Sequence, residues 1–244
     1  MFPQTHVYFA EIVLGKMSDA VALGSIFPDM AIGAGVNRVI SHSSGQEMYE
    51  FLASEAGLRD FALANITHGV SPDGLDYYGD EKNPPFERGY CFEKGRPLVE
   101  STIKACNIPA EMGWWKAHNI VEMGIEMRIS TSGDYGGYLY KALHNQELVS
   151  SISDRLGEFY GVGFEPFARR MSNFPAYIDL TSSTAESLAV KYDYQMHYKH
   201  RIRINISQVA KLIEQASEIV EDDLEDFFLS VTGKVRKTLG PMLP

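Results

Sequence analysis

The sequence predicts an all-α fold, a single-domain multi-helix bundle that spans residues 1–244. Apolar residues recur at three- and four-residue spacings through most of the chain, whereas the alternation that is typical of strands is scarce. Hydrophobic residues occupy 45% of the 244 positions, and a chain of this length buries roughly three quarters of the surface that it exposes when unfolded. One substantial core is therefore expected.

The first two helices are predicted near the beginning of the chain. Residues 5–14 carry large apolar side chains at helical spacing, which suits a short helix buried on most sides. Ser18 or Asp19 is a suitable N-cap for a second helix that runs toward Ile26. Because proline cannot donate a backbone hydrogen bond, this second helix is expected to break at Pro28.

Two more helices are predicted before residue 72. Ser44, with Glu47 three residues later, has the pattern of a capping box and predicts a helix through about Ala56. Residues 58–70 place their apolar side chains on one face and predict the next helix. That helix is expected to stop before Pro72.

The segment 71–109 differs in composition from what precedes it. It is rich in glycine, proline, aspartate and aromatic residues and includes Pro84-Pro85. This composition predicts an irregular excursion, and loops of this length in a compact domain are often functional. Helical spacing then returns in three segments, 111–129, 138–160 and 182–228, and long carboxy-terminal helices are expected over 182–238.

The charge and the cysteine content exclude several classes of protein. The chain has 32 acidic and 22 basic residues, a formal net charge of -10, and therefore lacks the basic footprint of a general duplex-binding protein. Cys91 and Cys106 are too few for a disulfide framework. The start, Met1-Phe2, lacks a secretory pattern, and no apolar run approaches the roughly 18 residues of a transmembrane helix. A soluble, cytoplasmic protein is expected.

The most informative feature is the placement of histidines beside carboxylates. His118 and Glu122 are four residues apart in a helical segment, so their side chains share a face about 6 Å apart and suit one divalent ion. His68 ends a predicted helix and is followed by Asp73 and Asp76. Each pattern taken alone is also explained by an ordinary hydrogen bond or a turn.

Three other polar residues lie next to apolar segments in the first half of the chain. His42 precedes a predicted helix start, Asp29 follows Pro28, and His6 lies inside an apolar segment. Burying several ionisable groups is costly unless each one is paired or ligated, and a metal cluster would satisfy them together. Their convergence favours a metal site.

These residues, in order, resemble the zinc-dependent phospholipase C and single-strand nuclease superfamily. The resemblance covers roughly residues 5–126 and predicts a helical fold whose cleft holds up to three zinc ions. It rests on five motifs: Thr5-His6, Gly24-Ser25-Ile26-Phe27-Pro28-Asp29, Ser41-His42, Ile66-Thr67-His68 with Asp73 or Asp76, and Ala117-His118 with Glu122.

The resemblance implies a role for each matching residue. Asp29, His42 and His68 are expected to be ligands of a buried metal pair, with Asp73 or Asp76 as the bridging or third-metal carboxylate. The other implied ligands are His118 and Glu122, which would close a second metal's shell, and His6, which would bind the amino-terminal metal.

The sequence also departs from the family pattern. Secreted members begin with a tryptophan whose amino group binds metal, whereas this chain begins Met1-Phe2. The family carboxylate lies four residues after the helix histidine, but Asp73 and Asp76 lie five and eight residues after His68. A further histidine expected shortly after that carboxylate is absent. Two metals are therefore a safer expectation than three.

The implied activity is metal-dependent hydrolysis of phosphate esters, as in a phospholipase C-like phosphodiesterase. The expected cofactor is zinc, in two or three ions, although iron or manganese would accept the same ligands. Asp29 is the candidate general base, and Arg38 is a candidate contact for the substrate phosphate. Aromatic residues at 86–92 and 114–115 suit either an apolar surface for lipid or stacking of single-stranded bases.

The substrate is expected to be a small phosphate ester or a phospholipid head group. A non-catalytic alternative stays open, in which the same polar groups hold a structural metal or hydrogen-bond within the core. In that case the acidic run at 218–226 would bind a partner, although a solvated helix face is its simpler interpretation.

Overall fold

The computed structural model describes residues 1–55, 57–81, 86–176, 178–181, 183–240 and 242, which are helical or irregular without any strand. The predicted all-α class is confirmed. Within these residues, no helix combines the length and apolar character that crossing a membrane requires. The α-helices are α1 (Pro3–Leu14), α2 (Asp19–Gly33), α3 (Arg38–Ser43), α4 (Gly45–Leu52), α5 (Arg59–His68), α6 (Leu75–Asp80), α7 (Tyr90–Gly95), α8 (Val99–Cys106), α9 (Gly113–Ser132), α10 (Tyr135–His144), α11 (Gln146–Tyr160), α12 (Glu165–Asn173), α13 (Ala185–His200), α14 (Ile206–Val220) and α15 (Leu224–Leu239).

Two buried helices organise the bundle. Helix α2 packs against α1, α5 and α10, and α9 packs against α7, α8 and α14. Helix α1 contacts both α2 and α9. A hydrophobic cluster runs from Val7 on α1 to Leu239 on α15 and joins the first and second halves of the chain into one core.

Helix α2 does not break at Pro28, so that prediction was wrong. It continues to Gly33, with Pro28 inside the helix. Gly24 lies so close to α5 that an added Cβ would be 2.1 Å from the Phe61 carbonyl oxygen. This close packing outweighs the loss of one backbone hydrogen bond at the proline, and the continued helix carries Asp29 in its last turns.

Helix α4 is shorter than the sequence predicted. It ends at Leu52, and the predicted end near Ala56 lies outside the described residues. The predicted capping box was wrong, because the Ser44 side chain makes no capping bond. The Ser44 hydroxyl instead lies 3.2 Å from the Tyr160 hydroxyl.

The segment 71–109 was predicted as an irregular excursion but contains the short helices α6, α7 and α8. Its glycines allow close backbone contacts. A Cβ at Gly74 would lie 2.6 Å from the Ile66 carbonyl oxygen, and one at Gly89 would lie 2.3 Å from the Asp80 backbone nitrogen. The Pro84-Pro85 breaker lies outside the described residues.

The second half of the chain is divided more finely than the sequence pattern suggested. The predicted helix 138–160 is two helices, because Asn145 interrupts it and its side chain accepts a bond from the Leu148 amide at 3.2 Å. The segment predicted from 182 onward is α13, α14 and α15, and Ser182 itself lies outside the described residues.

Candidate metal centre

Potential metal-binding side chains from six helices lie close together; the helices are α1, α2, α3, α5, α6 and α9. They form three groups in which the potential ligand atoms lie within 4.8 Å of one another. We name them the amino-terminal group (His6, His68, Asp76), the mouth group (Asp29, His42, His68) and the inner group (Asp80, His118, Glu122).

The amino-terminal group is centred on Asp76. Its Oδ1 lies 3.4 Å from His6 Nε2, and its Oδ2 lies 3.4 Å from His68 Nε2. The two imidazole rings are stacked with their centroids 3.6 Å apart. Burial lowers the pKa of His6 to about 4, with help from the nearby positive charges, so His6 is neutral at pH 7 and its ring nitrogen can act as a ligand.

The mouth group lies beside Asp76 and shares His68 with the amino-terminal group. His42 Nε2 is 3.6 Å from Asp29 Oδ1 and 3.5 Å from Asp76 Oδ2. Burial opposes ionisation of Asp29, but the adjacent imidazoles of His42 and His68 bring the pKa of Asp29 well below its usual value. Asp29 is therefore held as a carboxylate.

The inner group combines two helices. His118 Nε2 lies 3.8 Å from Glu122 Oε1 and 3.9 Å from Asp80 Oδ1. Burial and the charge of Glu122 raise the pKa of Asp80 well above its usual value. Glu122 behaves in the opposite way, because the Met1 amino group and His118 outweigh its burial and lower its pKa.

The α-amino group of Met1 connects the amino-terminal and inner groups. It is buried, 2.9 Å from Asp76 Oδ1 and 2.8 Å from Glu122 Oε1. Burial alone lowers the pKa of an amine, but the surrounding carboxylates, chiefly Asp76 and Glu122, raise the pKa of this one well above its usual value.

Three of the histidines are oriented by backbone carbonyls. The Nδ1 atoms of His42 and His68 donate to the carbonyls of Arg38 at 3.1 Å and Ser25 at 2.6 Å. His118 Nδ1 donates to the Trp115 carbonyl. A proton fixed on Nδ1 leaves Nε2 with a free lone pair, which is the arrangement found in metal-binding histidines.

Several potential ligand atoms are buried without a hydrogen bond to any part of the chain that the structure describes. They include Nε2 of His6, His42 and His68, and Oδ1 of Asp80. Unpaired polar atoms are costly to bury, whereas ligands of a tetrahedral zinc lie about 3.4 Å apart, close to the spacings seen here. The chemistry of these donors fits zinc and also iron or manganese.

The structure brings together seven of the eight predicted metal ligands: His6, Asp29, His42, His68, Asp76, His118 and Glu122. It also distinguishes the two open candidates after His68. Asp76 is buried in the first turn of α6 and faces the histidines, whereas Asp73 precedes that helix, is only half-buried and belongs to none of the three groups.

The centre opens on the side of Asp29 and Arg38. The Asp29 side chain is 41% exposed, whereas that of Asp76 is 4% exposed. The Arg38 side chain is 52% exposed, and its Nη2 lies 3.9 Å from Asp76 Oδ2. The predicted phosphate-binding arginine is therefore at the opening of the centre.

Sequence reasoning missed Asp80. It lies four residues after Asp76, so both side chains occupy the same face of α6, as His118 and Glu122 do on α9. The four-residue spacing of the two aspartates is the sequence signal that identifies Asp80 as a candidate ligand.

The predicted aromatic residues do not form one surface. The Phe92 ring stacks on His118 with centroids 4.1 Å apart, and Tyr90 stacks on Phe227 at 4.2 Å. Trp114 Nε1 donates to the Phe92 carbonyl. Phe92 therefore packs against a residue of the inner group, and among these aromatic residues only Phe86 and Trp115 are exposed.

No protein-family model matches this chain, and searches of curated proteins and of solved structures also return no similar protein.

Proposed function

We propose that the protein is a metal-dependent hydrolase of phosphate esters, a phospholipase C-like phosphodiesterase with a di- or trinuclear metal site. The main support is that the amino-terminal and mouth groups adjoin through Asp76, whose Oδ1 faces His6 and whose Oδ2 faces His42 and His68. Shared ligands are typical of sites that hold adjacent metal ions. Zinc is the proposed metal, with iron or manganese as alternatives.

The ligands are assigned by group. Asp29, His42 and His68 would hold one ion, Asp80, His118 and Glu122 a second, and His6 with Asp76 a third. His68 is assigned to one ion only, because its Nδ1 donates to the Ser25 carbonyl and Nε2 has the single free lone pair. When bound, divalent ions lower the pKa of a coordinated water and offset the negative charge on phosphoryl oxygens.

The chain's own residues would orient the reaction at the opening. Asp29 is ionised, is the most exposed of the ligand side chains whose exposure is known, and lies 3.6 Å from His42 Nε2. We assign to it the additional role of accepting the proton of the attacking water. Arg38 carries a permanent charge at the same opening and would bind a phosphate oxygen.

The choice of substrate rests on the same opening. A phosphate ester can approach Asp29 and Arg38 despite the net charge of -10, because Arg38 and the bound metals would be locally positive. Small phosphate esters and phospholipid head groups are the proposed substrates.

The test combines metal analysis with an activity assay. The purified protein is expected to contain two or three zinc ions per chain and to hydrolyse bis-p-nitrophenyl phosphate. Replacing His118 or Glu122 with alanine is expected to lower metal content and activity together. His144→Ala is the matched control, because His144 is an exposed histidine on α10 outside the three groups.

Two results would contradict the proposal. Fewer than one bound transition metal per chain in the native protein would favour the non-catalytic alternative. Full activity of the His118→Ala variant would show that the site is misassigned, even if the protein is a hydrolase. Parallel assays with phosphatidylcholine and with single-stranded DNA would distinguish the substrate classes.

A further inference from the structure

Glu126 is a buried carboxylate that belongs to none of the three ligand groups. It lies on α9, one turn after Glu122, and faces the beginning of α1. Its Oε1 accepts a hydrogen bond from the Gln4 amide at 2.9 Å. Its Oε2 accepts from the Thr5 amide at 2.8 Å and from the Thr5 hydroxyl at 2.7 Å.

These bonds satisfy a helix terminus that has no local cap. The first amides of a helix have no partner inside it, and Pro3 has no amide hydrogen. The N-cap residue is Phe2, whose side chain cannot accept a hydrogen bond. Glu126 therefore caps α1 from a distance of 121 residues in sequence, and its negative charge suits the positive end of the helix.

The capped segment is the one that delivers ligands to the metal centre. Thr5 is followed by His6, whose ring stacks on His68. On the other side, the Met1 amino group lies 2.8 Å from Glu122. Helix α9 thus holds the start of α1 at two points one turn apart, Glu122 and Glu126.

We propose that Glu126 is a positioning residue of the metal centre, which fixes the start of α1 so that His6 is held beside His68 and Asp76. This inference rests on the proposed function, since it assigns His6 and Asp76 to a metal. Glu126 does not itself bind the metal. Its effect passes through the backbone of Gln4 and Thr5 to the adjacent His6.

Zinc titration of chelator-treated protein tests the inference. Glu126→Gln keeps the size of the side chain but replaces one accepting oxygen with an NH2 group. That group cannot accept the hydrogen bonds that Gln4 and Thr5 donate. One zinc ion is expected to bind about 10- to 100-fold more weakly than in the native protein, the range typical of residues that orient ligands. The ions held by the mouth and inner groups are expected to keep their affinity.

Two further variants separate positioning from stability. Thr5→Val removes one of the three hydrogen bonds to Glu126 while keeping the side-chain shape. It is therefore expected to weaken the binding of the same zinc ion by a smaller factor. It also keeps the test available if Glu126→Gln does not fold. Asp193→Asn is the matched control. Asp193 is also a buried carboxylate that accepts a hydrogen bond from a backbone amide, that of Ile204 at 3.0 Å, but it belongs to none of the ligand groups. It is expected to leave every zinc affinity unchanged.

The outcomes distinguish this inference from the proposed function. Native zinc affinities in both Glu126→Gln and Thr5→Val would overturn the positioning role while leaving the hydrolase intact. A native protein that binds no zinc would contradict the proposed function. In that case the NMR signals of the His6 ring in the metal-free protein test the positioning role. Loss of the cap is expected to shift these signals and to speed amide hydrogen exchange at the start of α1. Unchanged signals and exchange would overturn the inference.

Discussion

The seven histidines of this chain divide between two regions that use the same side chain differently. His6, His42, His68 and His118, in the first region (α1–α9), are at most 5% exposed, and each has a carboxylate oxygen within 4 Å. The other three, His144, His197 and His200, lie on α10 and α13 in the second region (α10–α15), where the structure describes no potential ligand group around them.

The neighbouring groups explain why the histidines of the second region form no ligand group in the described structure. His200 lies 3.1 Å from the Lys116 ammonium and edge-on to Trp115, so its neighbours are cationic and aromatic. His144 bonds its own helix at the Tyr140 carbonyl. A histidine is therefore informative about metal binding only when burial and carboxylates coincide around it, a condition that holds in the first region.

The largest expected effect comes from the carboxylate at the centre of the first region. Asp76→Asn removes a charge that faces His6, His42 and His68 as well as the Met1 amino group. Phosphodiesterase activity is expected to fall by about a thousandfold, equivalent to about 4 kcal/mol of transition-state stabilisation, together with metal content. Steady-state kinetics and metal analysis measure both.

Asp73→Asn is the control for that experiment. Asp73 is only three residues away but lies outside the ligand groups. Its replacement is expected to keep activity within a factor of about two, a change of about 0.4 kcal/mol. Equal losses in the two variants would show that the structure's choice of Asp76 over Asp73 is wrong.

The next effect concerns Asp80, the acidic residue of the inner group with a raised pKa. A raised pKa favours the protonated form of Asp80 in the metal-free protein, whereas a metal ligand must be deprotonated. Asp80→Asn is therefore expected to release fewer protons on zinc binding than the native protein and to bind zinc more weakly. Calorimetry in buffers of different ionisation enthalpy counts the protons, and an unchanged count would refute the assignment.

The pH dependence of stability gives a smaller effect in the metal-free protein. The pKa of His6 is lowered to about 4 in the folded state from 6.5, so between these pH values the unfolded chain binds a proton that the folded chain excludes. Stability is therefore expected to fall as the pH decreases from 6.5 to 4, by up to about 3 kcal/mol.

Denaturant unfolding at several pH values checks this dependence. His6→Gln is expected to flatten the curve in this window, since it removes the titrating group. His144→Gln, a change in the exposed histidine of the second region, is expected to leave the curve unchanged. A curve that is equally steep in His6→Gln and in the native protein would assign the dependence to other groups.

The all-α class and most helices were predictable because periodicity records which face of each helix is buried. The continuous helix through Pro28 was not, since it depends on the close approach of Gly24 to α5, which no local pattern shows. The helices within 71–109 were missed for a similar reason. Glycines there permit close packing instead of ending structure.

The candidate site shows the same division between local and distant information. His118 and Glu122 were predictable because a single helix sets their separation. The choice of Asp76 over Asp73 required knowledge of where α6 begins. Glu126 carried no local signal, since its partners Gln4 and Thr5 are more than 120 residues away.

The smallest expected effect comes from an acidic residue of the second region. It tests whether metal binding depends on carboxylates next to the histidines or on negative charge anywhere in the protein. The carboxylates at 218–226 are mostly exposed, but they lie at the end of α14, in the connection 221–223 and at the start of α15, not on the single helix face that the sequence predicted. Glu218→Lys is expected to change the free energy of unfolding by at most about 0.5 kcal/mol, because exposed charges are solvated in both states. A lysine near the end of α14 also suits the helix dipole, which offsets any loss. Metal content and activity are expected to stay at the native level, whereas a loss of metal in Glu218→Lys would show that charge far from the ligand groups contributes to binding.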